Sequence, residues 1–144
     1  MSPNIDTDGI YQAYTDVRDD NNETAWALVK YAEDKSMVLH GVGTDYEEMI
    51  SGLQEDERAY GYVRLVVGDE LSKRVKFALI TWIGPSVSPM KKAAVSTDKG
   101  TIKSVFQQFQ IEVQADDLRE LKKSELEALI RKAGGANYGT GVRD

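Results

Sequence analysis

Three basic side chains, Lys73, Arg74 and Lys76, stand within four consecutive positions, directly before an apolar run that ends at Ile83. Ammonium and guanidinium groups at this spacing can pair with the carboxylates or phosphates of a partner. A nucleic-acid surface would also need aromatic side chains between the basic ones, whereas Phe77 and Trp82 stand inside the apolar run, where we expect a core. The cluster therefore indicates either a site for an acidic protein or the solvated end of a hairpin.

The charge is distributed unevenly along the chain. The formal net charge is −6, but residues 1–70 carry 16 acidic and 5 basic side chains, while residues 71–144 carry 8 acidic and 13 basic ones. A folded chain with this asymmetry should present separate acidic and basic faces, and a basic face attracts acidic partners despite a negative total.

Few residues are available for catalysis or metal binding. The chain has no cysteine and one histidine, His40, which lies in an apolar segment where a structural role is the usual one. The glycines of "HGVGTD" and "GGANYGTG" lack the lysine and strand–helix setting of a phosphate loop. Carboxylates are plentiful in the expected loops, so a small enzyme that uses them stays a third alternative, but we expect a protein that is not an enzyme and has no metal or cofactor.

The length and the N-terminus limit the class of protein. A chain of 144 residues has the size of one domain. The first ten residues have no apolar segment of the signal-peptide type, and no stretch reaches the length of a membrane span. We therefore expect a soluble, intracellular monomer that binds neither membranes nor nucleic acid.

Hydrophobic periodicity predicts the first elements. A capped amphipathic helix is expected over Thr7–Arg18, and two strands over 25–31 and 37–42 form a hairpin. A short helix follows within 44–53. Two further strands are predicted at 58–67 and 75–83, with "GDELSKR" (68–74) as their connection.

The second half predicts helices around one last strand. After Pro85 and Pro89 we expect a long helix that kinks or breaks near Thr97–Gly100, then a strand at 109–113. A final helix should begin at a cap on Asp116 or Asp117 and end at Gly134. This order predicts an α/β (α+β) fold with a five-stranded mixed sheet between helices. The expected organisation is a flexible segment 1–5, a domain 6–134 and a flexible tail 135–144.

Four segments resemble the coactosin group of the actin-depolymerising-factor homology (ADF-H, cofilin-like) family. They are "AYTDVRDD", "RLVVGDELSKRVKFALITWIG", "TDKGTIKSVFQQF" and "RKAGGANY". The similarity runs from about Ile5 to Tyr138, and the combination of "SKRxKFALITWIG" with "KAGGANY" is specific. It implies a sheet of four antiparallel strands and a fifth parallel one between helix pairs, in agreement with the order of elements above.

The resemblance also implies binding to the side of filamentous actin. The implied filament-binding residues are Lys73, Arg74 and especially Lys76, with Arg131 and Lys132 on the last helix. Lys76 should point to solvent, opposite to Val75 and Phe77, by strand alternation.

A second family surface uses the N-terminus and the long helix, which carries Lys91 and Lys92. Depolymerising members have a large apolar residue there, where this chain has Ala93, Ala94 and Val95. The departure predicts weak or no binding to monomeric actin and no strong severing. We expect a cytoplasmic, cytoskeleton-associated modulator of filament dynamics. The alternative is an adaptor whose basic face binds an acidic protein other than actin.

Overall fold

The computed structural model describes residues 4–69 and 71–139, with side chains placed up to Ala133 except that of Asp69. Its elements in chain order are α1 (Thr7–Arg18), β1 (Trp26–Tyr31), β2 (Met37–Gly43), α2 (Tyr46–Ser51), β3 (Arg58–Asp69), β4 (Ser72–Ile83), α3 (Pro89–Ala93), α4 (Val95–Lys103), β5 (Ile111–Ala115), a 3-10 turn (Leu118–Leu121) and α5 (Lys123–Gly139). The strands form one sheet in the order β2-β1-β3-β4-β5.

The predicted sheet is confirmed. The pairs β1–β2, β1–β3 and β3–β4 are antiparallel, whereas β5 lies parallel to β4. The parallel pair requires a crossover, and α3 and α4 provide it. Helix α1 has the predicted bounds, because Asp6 caps it by accepting from the Gly9 N–H and its apolar stripe turns inward.

Each face of the sheet carries its own core, because side chains alternate along the strands. On one face Tyr60, Tyr62, Phe77 and Leu79 pack with α1 and α4. On the other, residues of β3 and β4 such as Leu65, Val67, Ala78 and Ile80 form a cluster with side chains of α2 and α5, including Met49, Leu126 and Ile130.

Two buried tryptophans hold the segment around α2. The Trp26 indole N–H donates to the Asp45 carbonyl just before α2, and the Trp82 indole N–H donates to the Gln54 carbonyl after it, both at 2.8 Å. Trp26 lies across Gly43 of the neighbouring strand, where a Cβ would approach the indole ring to 2.4 Å. The glycines of "HGVGTD" lie in β2, where the absence of a side chain at Gly43 leaves room for the indole ring.

The connection predicted at 68–74 is wrong. β3 and β4 pair from Arg58 with Ile83 as far as Asp69 with Ser72, so most of "GDELSKR" belongs to the strands. Gly68 permits this turn with a backbone φ of +113°, a conformation that L-residues with a Cβ rarely adopt.

The long helix breaks at Ala94, earlier than predicted, and Gly100 lies inside α4. The Lys91 carbonyl accepts from both the Ala94 N–H and the Arg58 guanidinium. A side chain that binds a helix carbonyl in this way interrupts the regular ladder.

The ends of the chain differ from the expected bounds. Asp117 caps the 3-10 turn, and Lys122 has extended backbone before α5, which continues past the predicted stop at Gly134 to Gly139. Near the other end, the Asn4 carbonyl accepts from the Met37 N–H, and Ile5 forms a bridge with Met37. Residues 1–3 and 140–144 of the segments predicted as flexible lie outside the described residues, and the flexible segments stay a prediction.

Candidate functional site

The basic cluster lies on a β-ribbon at one end of the sheet. We use "ribbon" for residues 65–69 of β3 and 72–76 of β4, which lie beyond the last residues that pair with β1 and β5. Lys73 pairs with Gly68, Arg74 with Val67 and Lys76 with Leu65. The cluster is therefore held by the ladder of two strands instead of lying in a connection.

Alternation divides the cluster between the two faces of the ribbon. Arg74 and Lys76 share the face of Ala78 and Ile80, which α5 covers, and Lys73 lies on the opposite face with Val75 and Phe77. Lys73 and Arg74 are exposed, but Lys76 is half-buried, which is less exposed than we expected. The alternation of Lys76 against Val75 and Phe77 agrees with the sequence.

Helix α5 brings its predicted residues to the same face of the sheet. Leu126 and Ile130 pack in one cluster with Leu65 and Val67 of β3. Arg131 and Lys132 follow directly and are exposed. The helix that carries them thus lies on the sheet face that also carries Arg74 and Lys76.

Lys91 and Lys92 lie far from the ribbon. They are on α3, after the end of β4 at Ile83, whereas the ribbon is at the other end of that strand. Ile83 is seven positions after Lys76, which corresponds to about 23 Å of strand. The structure therefore places the predicted residues in two areas, one at each end of β4.

Met90 was missed as a surface residue. It is 84% exposed, and Ala93 and Ala94 are exposed as well. Val95 is buried and cannot contact a partner directly. Met90 follows Pro89 in the first turn of α3, so the periodicity of the following residues does not determine which way it faces.

Most of the predicted site cations form no ion pair with a carboxylate among the described side chains. Elsewhere in the second half, Lys103 binds Glu112 at 2.7 Å and Arg119 binds Asp117 at 2.7 Å, and Arg119 lowers the pKa of Asp117 to about 2. By contrast, no carboxylate among the described side chains forms an ion pair with any of Lys73, Lys76, Lys91, Lys92, Arg131 and Lys132. These cations are available to a partner.

Two further arginines, which the sequence did not single out, contact the base of the ribbon. The Arg18 guanidinium donates to the Tyr62 hydroxyl at 3.0 Å, and this hydrogen bond raises the pKa of Arg18. Burial raises the pKa of Tyr62, whose hydroxyl donates to the Gln108 carbonyl. Arg64 forms an ion pair with Asp20 at 2.8 Å. The resembling segments "AYTDVRDD" and "RLVVGDELSKRVKFALITWIG" contain Arg18 and Arg64, but the resemblance gave neither residue a role.

Two features are absent from the described residues. No group of three or more His, Asp or Glu among them could hold a metal ion, and no helix among them is long and apolar enough to cross a bilayer. His40 is exposed at a bulge in β2, in an edge strand.

Comparison with known proteins places the chain in a family. Residues 4–131 match the family described as cofilin/tropomyosin-type actin-binding protein. The chain is 41% identical to the human coactosin-like protein over 139 residues, which are 96% of each chain.

Solved structures agree with this match. Crystal structures of the human coactosin-like protein have a TM-score of 0.86 and 37% identity, with 91% of this chain and 99% of that chain covered. The solution structure of mouse coactosin, described as an actin filament binding protein, has a TM-score of 0.78 and 39% identity over 98% and 99% of the chains. The chain has the ADF-H fold and belongs to this actin-binding, non-enzymatic family, in the part of it that contains the coactosins.

Proposed function

We propose that this protein binds the side of actin filaments through the ribbon and the adjacent end of α5. The observation that carries the proposal is the pair Lys73 and Lys76, two cations without carboxylate partners among the described side chains, held by the ladder between β3 and β4. Mouse coactosin, which this chain resembles over nearly its full length, is described as binding actin filaments.

Partial burial makes Lys76 the central residue of the proposed site. Its backbone is fixed by pairing with Leu65, and its half-buried stem restricts the side chain before any partner arrives. Little conformational entropy is then lost when its ammonium group meets a carboxylate. Lys73 and Arg74, which are more exposed, serve mainly to attract the acidic filament over a distance.

Filament binding should exceed binding to monomeric actin. The α3 surface presents Lys91 and Lys92 beside the exposed Ala93 and Ala94, while Val95 is buried in the core. Burial of apolar surface stabilises a complex by about 25 cal/mol per Å², and small side chains such as alanine bury little of it. In this proposal the protein acts as a cytoskeleton-associated monomer in the cytoplasm, without strong severing or monomer sequestration.

Co-sedimentation with filaments tests the proposal. The wild-type protein should pellet with actin, and Lys76→Glu should remain in the supernatant, because the change removes a cation and adds repulsion from an acidic partner. Loss of a desolvated charge pair at an interface costs about 2–5 kcal/mol, which removes micromolar binding from the range of the assay. Wild-type binding should also weaken as salt rises.

Lys35→Glu is the matched control. Lys35 is an exposed lysine in the turn between β1 and β2, at the end of the sheet opposite to the ribbon. Its replacement by glutamate changes the net charge by the same amount as Lys76→Glu. This variant should pellet like the wild type. A folded Lys76→Glu variant that pellets normally would move the contact to the area of Lys91 and Lys92. A wild-type protein that stays in the supernatant would favour the adaptor for another acidic protein.

A further inference from the structure

The ribbon leaves the sheet at one cross-strand pair, Arg64 and Phe77. On the β3 side, the Arg64 N–H donates to the Ala25 carbonyl, just before the first residue of β1. On the β4 side, the Gln110 N–H donates to the Phe77 carbonyl, and the Gln110 side chain accepts from the Phe77 N–H. Beyond this pair the ribbon has two strands, and an isolated two-stranded hairpin is marginally stable in water.

Apolar contacts support one face of the ribbon. Leu65 and Val67 are buried and pack in the cluster that includes Leu126 and Ile130 of α5. These contacts stabilise the ribbon but are not directional, since the hydrophobic effect scales with buried area. On the other face, hydrogen bonds, which depend on angle, restrict the orientation of the ribbon relative to the sheet.

The Arg64 side chain ties the base of the ribbon to the end of α1. Its Nη1 donates to the carbonyls of Val17 at 3.3 Å and Asp19 at 3.1 Å, and its Nη2 donates to the Asp20 carboxylate at 2.8 Å. Carbonyls in the last turn of a helix lack helical partners and carry partial negative charge. The planar guanidinium can bind several such acceptors at fixed angles, which a lysine ammonium cannot.

Arg18, at the end of the same helix, contacts the other member of the pair. Its guanidinium carbon lies 4.6 Å from the centre of the Phe77 ring, while its Nη1 donates to Tyr62 of β3. Phe77 directly precedes Ala78 and follows Lys76. The end of α1 thus contacts both strands at the position where the ribbon begins.

We propose that Arg64, assisted by Arg18, is a positioning residue that fixes the direction of the ribbon and so sets where Lys73 and Lys76 meet a filament. This inference rests on the proposed function of those lysines. Arg64 itself is largely buried, with a side-chain exposure of 17%, and both of its terminal nitrogens already donate within the protein. It acts through the ribbon instead of contacting the partner.

The direction of the ribbon can be measured without actin. The chain has no cysteine, so spin labels on Leu71→Cys at the ribbon tip and His40→Cys in β2 give one distance distribution. Both residues are exposed. The distribution should be narrow in the otherwise wild-type protein and broad with Arg64→Ala. Asp20→Asn, a mild change at a carboxylate that is 81% exposed, should broaden it less.

Filament binding provides the second measurement, on the unlabelled variants. Arg64→Ala should weaken co-sedimentation about tenfold, and Arg64→Lys should recover part of this loss, since one strong hydrogen bond to a charged group can remain. Arg119→Ala, which removes an ion-paired arginine before α5 at the other end of the sheet, should bind normally. Thermal unfolding of each variant establishes that it is folded.

The two measurements separate the possible failures. An unchanged distance distribution in Arg64→Ala would overturn the positioning role whatever actin does. A broad distribution with normal filament binding would show that ribbon direction does not matter for the partner, which also overturns it. Absence of wild-type binding would overturn the proposed function and the use of the ribbon for filaments, while the label distances would still decide whether Arg64 fixes the ribbon.

Discussion

Arg58 and Asp98 form a buried ion pair that joins the first residue of β3 to α4, with Nη1 and Oδ2 3.2 Å apart. The Tyr31 hydroxyl donates to the same carboxylate oxygen at 2.6 Å, and the Tyr31 ring centre lies 3.9 Å from the guanidinium carbon. Burial and the hydrogen bond to Asp98 raise the pKa of Tyr31, so its hydroxyl stays a donor over the physiological pH range.

We expect Asp98→Ala to lower the free energy of unfolding by about 3–5 kcal/mol, because it leaves the buried Arg58 without its counter-charge. Tyr31→Phe, which keeps the ring under Arg58, should cost about 1 kcal/mol. Urea unfolding measures both. Asp56→Ala, in the exposed loop before β3, is the control and should change stability by less than about 0.5 kcal/mol. Equal effects of Asp98→Ala and Asp56→Ala would contradict a structural role for the pair.

Gly68→Ala should destabilise the ribbon and weaken filament binding together. A Cβ at this position would lie 2.0 Å from the Ser72 carbonyl oxygen, on a backbone with φ of +113°. Such strain costs on the order of 1–3 kcal/mol, and its relief would displace Lys73, the cross-strand partner of Gly68. Gly100→Ala in α4 is the matched control: a Cβ there has no heavy atom within 4 Å among the described residues, so helix propensity should stabilise the protein by about 0.5–1 kcal/mol. Similar losses in both variants would point to a general effect of replacing glycine.

The wild-type protein should bind filaments at least about tenfold more tightly than monomeric actin, which corresponds to 1.4 kcal/mol. The physical reason is that the exposed Ala93 and Ala94 contribute little apolar area, which leaves Met90 as the large exposed apolar side chain of α3. Titration of fluorescently labelled monomer beside filament co-sedimentation gives both affinities. Met90→Ala should leave filament binding unchanged, since Met90 is on α3, away from the ribbon. Equal affinities for the two forms of actin, or fragmentation of filaments at stoichiometric protein, would contradict this prediction. Either result would show that the α3 surface binds actin more tightly than its composition suggests.

Glu112→Gln should remove part of the acid sensitivity of folding. Partial burial disfavours the charge of Glu112, but Lys103 and Lys99, at 2.7 and 3.3 Å, outweigh this effect and lower its pKa from the ordinary value. A carboxylate with a lowered pKa in the folded state stabilises the protein fully above its unfolded pKa, and that contribution disappears as the pH falls through the folded value. Urea unfolding of the variant should therefore change less with pH below about 4.5 than that of the wild type. Glu48→Gln, at an exposed position in α2, should retain the wild-type slope; an identical slope in Glu112→Gln would show that the lysines do not act on Glu112 when the protein folds.

Periodicity was sufficient for the parts of the fold in which one side of an element is apolar. The α1 bounds follow from such patterns, whereas the parallel position of β5 was implied by the resemblance. The ribbon was not predictable in this way, because 68–74 has the composition of a loop, although Gly68, Asp69 and Ser72–Arg74 belong to the strands. The break at Ala94 depends on Arg58, which is 36 positions away in the sequence. The roles of the predicted site residues were implied by the resemblance. The roles of Arg18 and Arg64 could not be predicted from the sequence, because they depend on the contact between α1 and the ribbon.

The two tryptophans and three of the buried tyrosines report on opposite faces of the sheet. Trp26 and Trp82 lie on the face covered by α2 and α5, while Tyr14, Tyr60 and Tyr62 lie on the face covered by α1 and α4. Indole fluorescence excited at long wavelength therefore follows one core, and the near-ultraviolet circular dichroism of tyrosine is weighted toward the other. Both cores share the central strands, so the two optical signals should change in a single transition during denaturation. A ligand that perturbs only one signal would thereby reveal on which face of the sheet it acts.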